Sequence, residues 1–307
     1  MITYVNGNVF QSPAKVLVNP VNTVGVTGKG LAADFKRFYP DMIDAYRDLC
    51  DQGKFDIGRL WLYRTPHKWV LNFPVQKHWR SASKPEYIAS GLQKFVAVYA
   101  EQGLTSVSFP AVGDGIAGLH WEEDVRPLME AYLAPLPIMI YVHLEPEIID
   151  RRSSRSIGTW LAQPPATVSF DKLWRDLARM IKRQSEYVTV GGAEAFTIEM
   201  DTRPRSRNLI LTTADGQTIF LSTSLLSDLW NYIRSAGYAL PGNFPGELDA
   251  HAPYIITLFS ELNYVEQIDL SLDGEAFQGG LHYLPPANKK GLTVEQPIAA
   301  EIDRVQE

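Results

Sequence analysis

Lys15-Val16-Leu17-Val18-Asn19-Pro20-Val21-Asn22-Thr23-Val24-Gly25-Val26-Thr27-Gly28-Lys29-Gly30-Leu31-Ala32-Ala33-Asp34-Phe35 joins an apolar run to an amphipathic one through three glycines. Residues 15–21 are apolar enough for a strand covered on both faces, and residues 31–38 carry the helical period, stopped near Tyr39-Pro40. Glycines between them allow positive φ and a close backbone approach to a ligand. The N–H groups at the start of the next helix favour an anion. The design repeats downstream. Residues 105–112 predict a strand, Val112-Gly113-Asp114-Gly115-Ile116-Ala117-Gly118-Leu119 a loop, and residues 122–133 a helix. Two such loops can clasp both phosphates of a diphosphate. Each alone also reads as an ordinary turn between strand and helix.

Around these runs, elements alternate over the first half of the chain. Strands are expected at 2–5, 59–64, 69–73 and 138–144, and helices at 41–52 and 85–101. Asp41 is placed to cap the first of those helices, Gly53 to end it and Gly103 to end the second. Alternation of this kind implies a sheet covered on both faces, with ligands beyond the carboxyl ends of its strands, where both glycine loops fall. Residues 151–168 are rich in Arg, Ser and Pro and read as a linker. Helices at 170–186, 224–235 and 254–262 and strands at 196–201, 208–213, 218–222, 265–272 and 280–284 then suggest a smaller α+β domain over 169–285, and 286–307 reads as a tail.

Composition narrows the function. The chain has 307 residues, a net charge of −6 and one cysteine, Cys50. Neither half is basic, so tight non-specific binding of long DNA is disfavoured. A disulfide framework is excluded within the sequence, and no cysteine-built metal site is expected. The first residues lack the pattern of a signal peptide and no run is long and apolar enough for a membrane span, so a cytoplasmic location is expected. The first loop lacks the Gly-Lys-Ser/Thr ending of an ATP-binding loop, and neither loop gives a dinucleotide fingerprint.

Val18-Asn19-Pro20-Val21-Asn22 with Gly28-Lys29-Gly30-Leu31-Ala32, and Phe109-Pro110-Ala111-Val112-Gly113 through Gly118, resemble the two phosphate-loop signatures of macrodomains, which bind ADP-ribose. Gly7-Asn8-Val9-Phe10 is similar to the adenine-side turn of that family, with Asn8 where many members have aspartate. The resemblance covers residues 1–146 and implies a macrodomain-like three-layer α/β sandwich with a mixed central sheet over 1–150. It implies substrate contacts from Asn8, Val9, Asn22, Gly28, Gly30, Leu31, Gly113, Gly115, Ile116, Ala117, Gly118 and Leu119. Asn22 has two readings: a hydrogen bond to the distal ribose, or a strand-end amide that caps its own loop.

Asn72-Phe73-Pro74-Val75-Gln76-Lys77-His78-Trp79-Arg80 with Lys84-Pro85-Glu86-Tyr87-Ile88, Asn22-Thr23-Val24-Gly25 and Gly118-Leu119-His120-Trp121 resembles the DarG antitoxins more closely. Those are DNA ADP-ribosyl glycohydrolases paired with DarT toxins. The resemblance implies removal of ADP-ribose from thymidine bases of single-stranded DNA, Lys77 as the catalytic residue, no cofactor, and a DarT-like partner engaged by residues 151–307. By chemistry alone Lys77 is a solvated lysine, a proton donor, an anchor for a ribose oxygen or an imine-forming nucleophile. His78, Trp79 and Arg80 are candidates for contact with the DNA, since aromatic and guanidinium planes stack on unpaired bases; ordinary packing or surface roles are the alternative. Hydrolases of protein-linked ADP-ribose carry an aspartate where the alignment puts Ala117, which disfavours that substrate. A non-catalytic ADP-ribose reader and an antitoxin acting by toxin binding are the other readings.

Overall fold

Five strands run parallel through the first half of the chain. β1 (Ile2–Asn6), β2 (Val16–Asn22), β4 (Trp69–Gln76), β5 (Ser106–Pro110) and β6 (Met139–His143) lie in the order β1-β6-β5-β2-β4, and β3 (Trp61–Arg64) adds antiparallel to β4. The sheet is therefore mixed. These elements come from a computed structural model that describes residues 2–28, 30–111, 118–144, 151–201, 208–287 and 298–301, with backbone alone at 151–155 and 298–301. The chain divides into two units, Met1–Pro165 with Ser271–Ala276 and Ala287–Glu307, and Ala166–Leu270 with Phe277–Pro286.

Strand alternation builds the layers of the first unit. Val16 and Val18 point into one core with α3 (Pro85–Val98) and α4 (Arg126–Leu133), through Ile88, Leu92, Phe95, Met129 and Leu133. Leu17 and Val21 point the other way, into a core with α1 (Leu31–Phe38) and α2 (Pro40–Asp51), through Phe35, Met42, Ile43 and Tyr46. Period 2 on the strands against the helical period is what makes three layers.

Three expectations are corrected. Asp41 does not cap α2: Tyr39 holds that position without a side-chain bond and Pro40 is the first helical residue, where a missing N–H costs nothing. The linker expected at 151–168 begins instead as α5 (Arg151–Leu161), whose Ile157 and Leu161 are buried in the core with α1 and α2. The expected tail contains a strand, Ile298–Glu301, antiparallel to β3. Gly53 ends α2 as expected, at φ +66, with Lys54 N–H bonded to the Leu49 carbonyl.

The second unit is α+β. α6 (Phe170–Arg183) is capped by the Ser169 side chain and buries Leu173, Leu177 and Ile181. A four-stranded antiparallel sheet follows, ordered β10-β9-β8-β7, from β7 (Glu186–Val188), β8 (Ala195–Met200), β9 (Asn208–Thr213) and β10 (Thr218–Ser222). α7 (Thr223–Ala236) carries Trp230, fully buried, whose indole N–H donates to the Val168 carbonyl at 2.9 Å. α8 (Ala252–Ser260) and strands Tyr238–Ala239, Val265–Leu272 and Gln278–Tyr283 complete the unit. Among the described residues no helix is long and apolar enough to cross a membrane.

Candidate active site

Because β2, β4, β5 and β6 are parallel, their carboxyl ends share one edge, marked by Asn22, Gln76, Pro110 and His143. Among the described residues, this edge gathers Asn22, the start of the first glycine loop and Lys77. Between Val21 and Asn22 the β2–β4 register slips, so that Val21 faces Pro74 but Asn22 faces Gln76. Such an irregularity re-aims the chain where it leaves the sheet.

Asn22 organises the first loop. Its Oδ1 accepts from Val24 N–H at 3.1 Å and Val26 N–H at 3.2 Å, and its Nδ2 donates to the Val26 carbonyl at 2.7 Å. The Tyr46 hydroxyl donates to the Asn22 carbonyl at 2.5 Å. The side chain thus acts as the loop cap that the sequence offered as its second reading. Gly25 stands at φ +71, and a Cβ there would meet Arg47 Cγ at 3.2 Å, so glycine is required on both counts. Gly28 and Gly30 have nothing within 4 Å of a built Cβ, and Gly30 starts α1 at φ +59 with no side-chain cap. In the first turn of α1 the Ala33 N–H donates to the Gly30 carbonyl at 2.9 Å, and the Leu31 and Ala32 N–H groups lie at an uncapped helix start of the kind that favours an anion. Thr27 is buried, and its hydroxyl has no partner among the described residues.

The Asn8 side chain caps a short turn, Val9–Gln11, by accepting from Phe10 N–H at 3.0 Å, and Val9 is buried beside it. That commits the Asn8 oxygen and leaves its amide NH2 to face an acceptor. His143 Nδ1 lies 2.8 Å from the Gly7 carbonyl, a geometry that places a proton on Nδ1. Burial pushes the His143 pKa down to about 4, so the ring is neutral at pH 7. Its Nε2 is buried and has no partner among the described residues. From sequence His143 is only part of an expected strand; a histidine near the end of an otherwise apolar run is the signal it carries.

Lys77 is exposed, immediately after β4. Two bonds from Thr23 tie its backbone to the first loop: Thr23 N–H to the Gln76 carbonyl at 3.1 Å and Thr23 Oγ1 to the Lys77 carbonyl at 2.8 Å. Thr23 was missed as a site residue because its role is to position backbone, which no side-chain chemistry announces. His78, Trp79 and Arg80 follow, all exposed. The second loop falls partly outside the described residues, and with it Gly113, Gly115, Ile116 and Ala117. Gly118 is described at φ +76, where a Cβ would sit 3.9 Å from Ala82 Cβ, so the end of this loop lies against the segment that follows Lys77. Leu119 is buried, and Trp121 is buried edge-on to Tyr4. The arrangement brings a helix start without a side-chain cap, a fixed glycine loop and the exposed Lys77 to one edge of the sheet.

The family model described as Macro domain matches residues 18–128. A protein of Thermus aquaticus named DNA ADP-ribosyl glycohydrolase is 37% identical over 181 residues, covering 57% of this chain and 49% of that protein. A DNA ADP-ribosyl transferase–DNA ADP-ribosyl glycohydrolase fusion protein of Thermosipho africanus is 35% identical over 170 residues, 48% of this chain and 44% of that one. The chain thus spans about half the length of these curated relatives. The solved macrodomain of Thermus aquaticus DarG is 39% identical, covering 47% of this chain and 99% of that domain, with a TM-score of 0.45.

Proposed function

From the premise that the first unit of this chain belongs to the macro domain family, we propose that it binds ADP-ribose at the carboxyl edge of its sheet and hydrolyses the bond joining that group to a DNA base. Support for the substrate comes from relatives named DNA ADP-ribosyl glycohydrolase at 35–37% identity over the matching region. The observation that carries the reading is the pair of Thr23 bonds that fixes the Lys77 backbone beside the first glycine loop. Held there, an ammonium is within the same small region as the loop that takes the phosphates.

The reaction adds water across the glycosidic bond. The bond from the anomeric carbon to the base nitrogen breaks with its electron pair going to the base, water oxygen bonds to that carbon, and the base nitrogen ends protonated. Positive charge builds on the ribose as the bond breaks, and a proton donor near the departing base lowers the barrier. Lys77 is the group on this edge that supplies a proton or holds a ribose oxygen. Its amine, once neutral, is also able to attack the opened sugar's carbonyl.

A thymidine-modified single-stranded oligonucleotide tests this reading. The wild-type protein releases free ADP-ribose from it. Lys77→Ala lowers kcat by at least about 100-fold, the usual scale for losing a positioned acid or base, and leaves the ADP-ribose Kd within threefold. Full activity in Lys77→Ala overturns the assignment. Lys77→Arg separates the roles, because guanidinium keeps the charge but neither gives up a proton at pH 7 nor forms an imine. Activity retained in Lys77→Arg identifies an anchoring cation.

The second unit is read as the part that meets a DarT-like DNA ADP-ribosyl transferase, in keeping with the relative that joins both activities in one chain. DNA as the substrate accords with a cytoplasmic place of action. Co-purification of the full chain with such a transferase, lost when the second unit is removed, is the expected outcome.

A further inference from the structure

The segment after Lys77 has a charge and a shape that the hydrolysis reading does not use. The protein carries a net charge of −6, yet from Ile57 to Pro85 there is no Asp or Glu, while Lys77, Arg80 and Lys84 crowd into eight residues. The next acid is Glu86, on the first turn of α3. The turn is cross-braced from within. Gln76 Nε2 donates to the Ser81 carbonyl at 2.9 Å, Ser81 N–H to the His78 carbonyl at 2.9 Å, and Ser83 Oγ to the Val75 carbonyl at 2.5 Å.

On this braced turn three flat groups adjoin one another. The His78 and Trp79 rings lie 5.7 Å apart at 26°, and the Arg80 guanidinium lies 4.3 Å from the Trp79 ring centre. His78 is fixed because its Nδ1 accepts from Arg80 N–H at 3.2 Å. Trp79 remains 45% exposed. An indole left nearly half in water on a rigid turn, in a stretch with cations and no acid from Ile57 to Pro85, exposes apolar area that packing alone would cover. It has the features of a stacking platform, in which an aromatic plane takes a base and neighbouring cations take the phosphates.

We propose that this turn is a docking site for an unpaired nucleobase of a single-stranded nucleic acid, with Trp79 as the stacking plane and Arg80 and Lys84 on the flanking phosphates. The proposal rests on the reading of the adjoining edge as the place where an ADP-ribosylated base is held. The platform takes a neighbouring nucleotide of the same strand, so the enzyme grips the modified base and its flank separately. A duplex keeps its bases stacked on one another and offers no free plane.

Fluorescence anisotropy with a labelled, unmodified twelve-nucleotide thymidine strand, and with the same strand in a duplex, tests the platform apart from the reaction. Wild-type protein binds the single strand at least tenfold more tightly than the duplex at 50 mM salt. Trp79→Ala weakens single-strand binding about tenfold or more, the range of one base–aromatic stack, and Trp79→Phe recovers most of it. Arg80→Ala with Lys84→Ala flattens the dependence of log K on log salt by about 1.4, since each phosphate contact on a single strand contributes about 0.7. Calorimetry with free ADP-ribose gives the same Kd in wild type and Trp79→Ala. Equal binding of strand and duplex, or single-strand affinity unchanged in Trp79→Ala, overturns the proposal. Loss of ADP-ribose binding in the wild type, with the strand still bound through Trp79, would instead overturn the hydrolase reading and leave the platform standing.

Discussion

Asn22 commits three hydrogen bonds to the loop it begins, and that fixes what its loss would do. An asparagine that reaches a ribose and one that shapes a phosphate loop both weaken ligand binding when removed, but only the second changes the empty protein. Asn22→Ala frees two backbone N–H groups and one carbonyl in the first loop. Its effect on stability is expected to be about 1–3 kcal/mol, the cost of leaving partly buried polar groups unpaired, with a lower Tm in the absence of ligand. ADP-ribose affinity falls in parallel. An unchanged Tm would assign Asn22 to the ligand alone. Gly25→Ala tests the neighbouring constraint, since φ is +71 and Arg47 lies 3.2 Å from the new methyl. The expected cost is about 1–2 kcal/mol, seen as a shift of the urea midpoint without a change in slope.

At the scale of elements, α5 shows what patterning misses. Its sequence, Arg151-Arg152-Ser153-Ser154-Arg155-Ser156-Ile157-Gly158-Thr159-Trp160-Leu161, has the composition of a linker, and only Ile157, Trp160 and Leu161, at its very end, mark a face. Three apolar positions confined to the last five of 11 residues give a single turn, too short for a periodicity argument. The helix is secured by tertiary contacts instead: Ile157 and Leu161 in the core, and Trp160 edge-on to His67 at 4.2 Å. A protein ended at residue 150 is therefore expected to be less stable than one ended at 165. Leu161→Ala alone should cost about 2–4 kcal/mol, the range for a buried leucine, measured by chemical denaturation. Equal stability of the two truncations would show that α5 contributes no net stabilisation. By contrast, α1 was legible to the residue at 31–38, because Gly30 and Tyr39-Pro40 punctuate it and its period is strong. The first glycine loop and the place of Lys77 just after a strand were legible as positions. What sequence could not show was the fastening: the Thr23 bonds to the Gln76 and Lys77 carbonyls pair residues 53 and 54 apart through backbone atoms, which carry no residue-specific mark.

Over the first unit as a body, buried ionisable groups set how stability depends on pH. His67 and His143 are both pushed down to about 4, in each case chiefly by burial. Their unfolded pKa is about 6.5, so the unfolded chain takes up protons that the native one refuses between pH 6.5 and 4. Stability is fully present above 6.5 and is lost as pH falls through that window, by at most about 3 kcal/mol per histidine. Lys68 acts higher on the scale. It is buried, donates to the Ser12 and Ala14 carbonyls at 2.6 and 2.7 Å, and is pushed down to about 7 by burial and by Lys15. A lysine is ordinarily near 10.4, so again the unfolded state binds more protons, and stability rises with pH from about 7 upward. Cys50 opposes this only above its ordinary value near 9, because burial raises it to about 11 and the native state then holds the extra proton. The interval from pH 7 to 9 isolates the lysine, together with the smaller lowering at Lys15. Urea denaturation there should show stability climbing toward alkaline pH, at no more than about 1.4 kcal/mol per unit from Lys68. In Lys68→Met the two carbonyls lose their donor and the protein is weaker at pH 9, yet the climb is reduced to the residue left by Lys15. The slope, unlike the absolute stability, reads the proton alone, so an unaltered slope in Lys68→Met would mean that Lys68 stays charged in the core through pH 9.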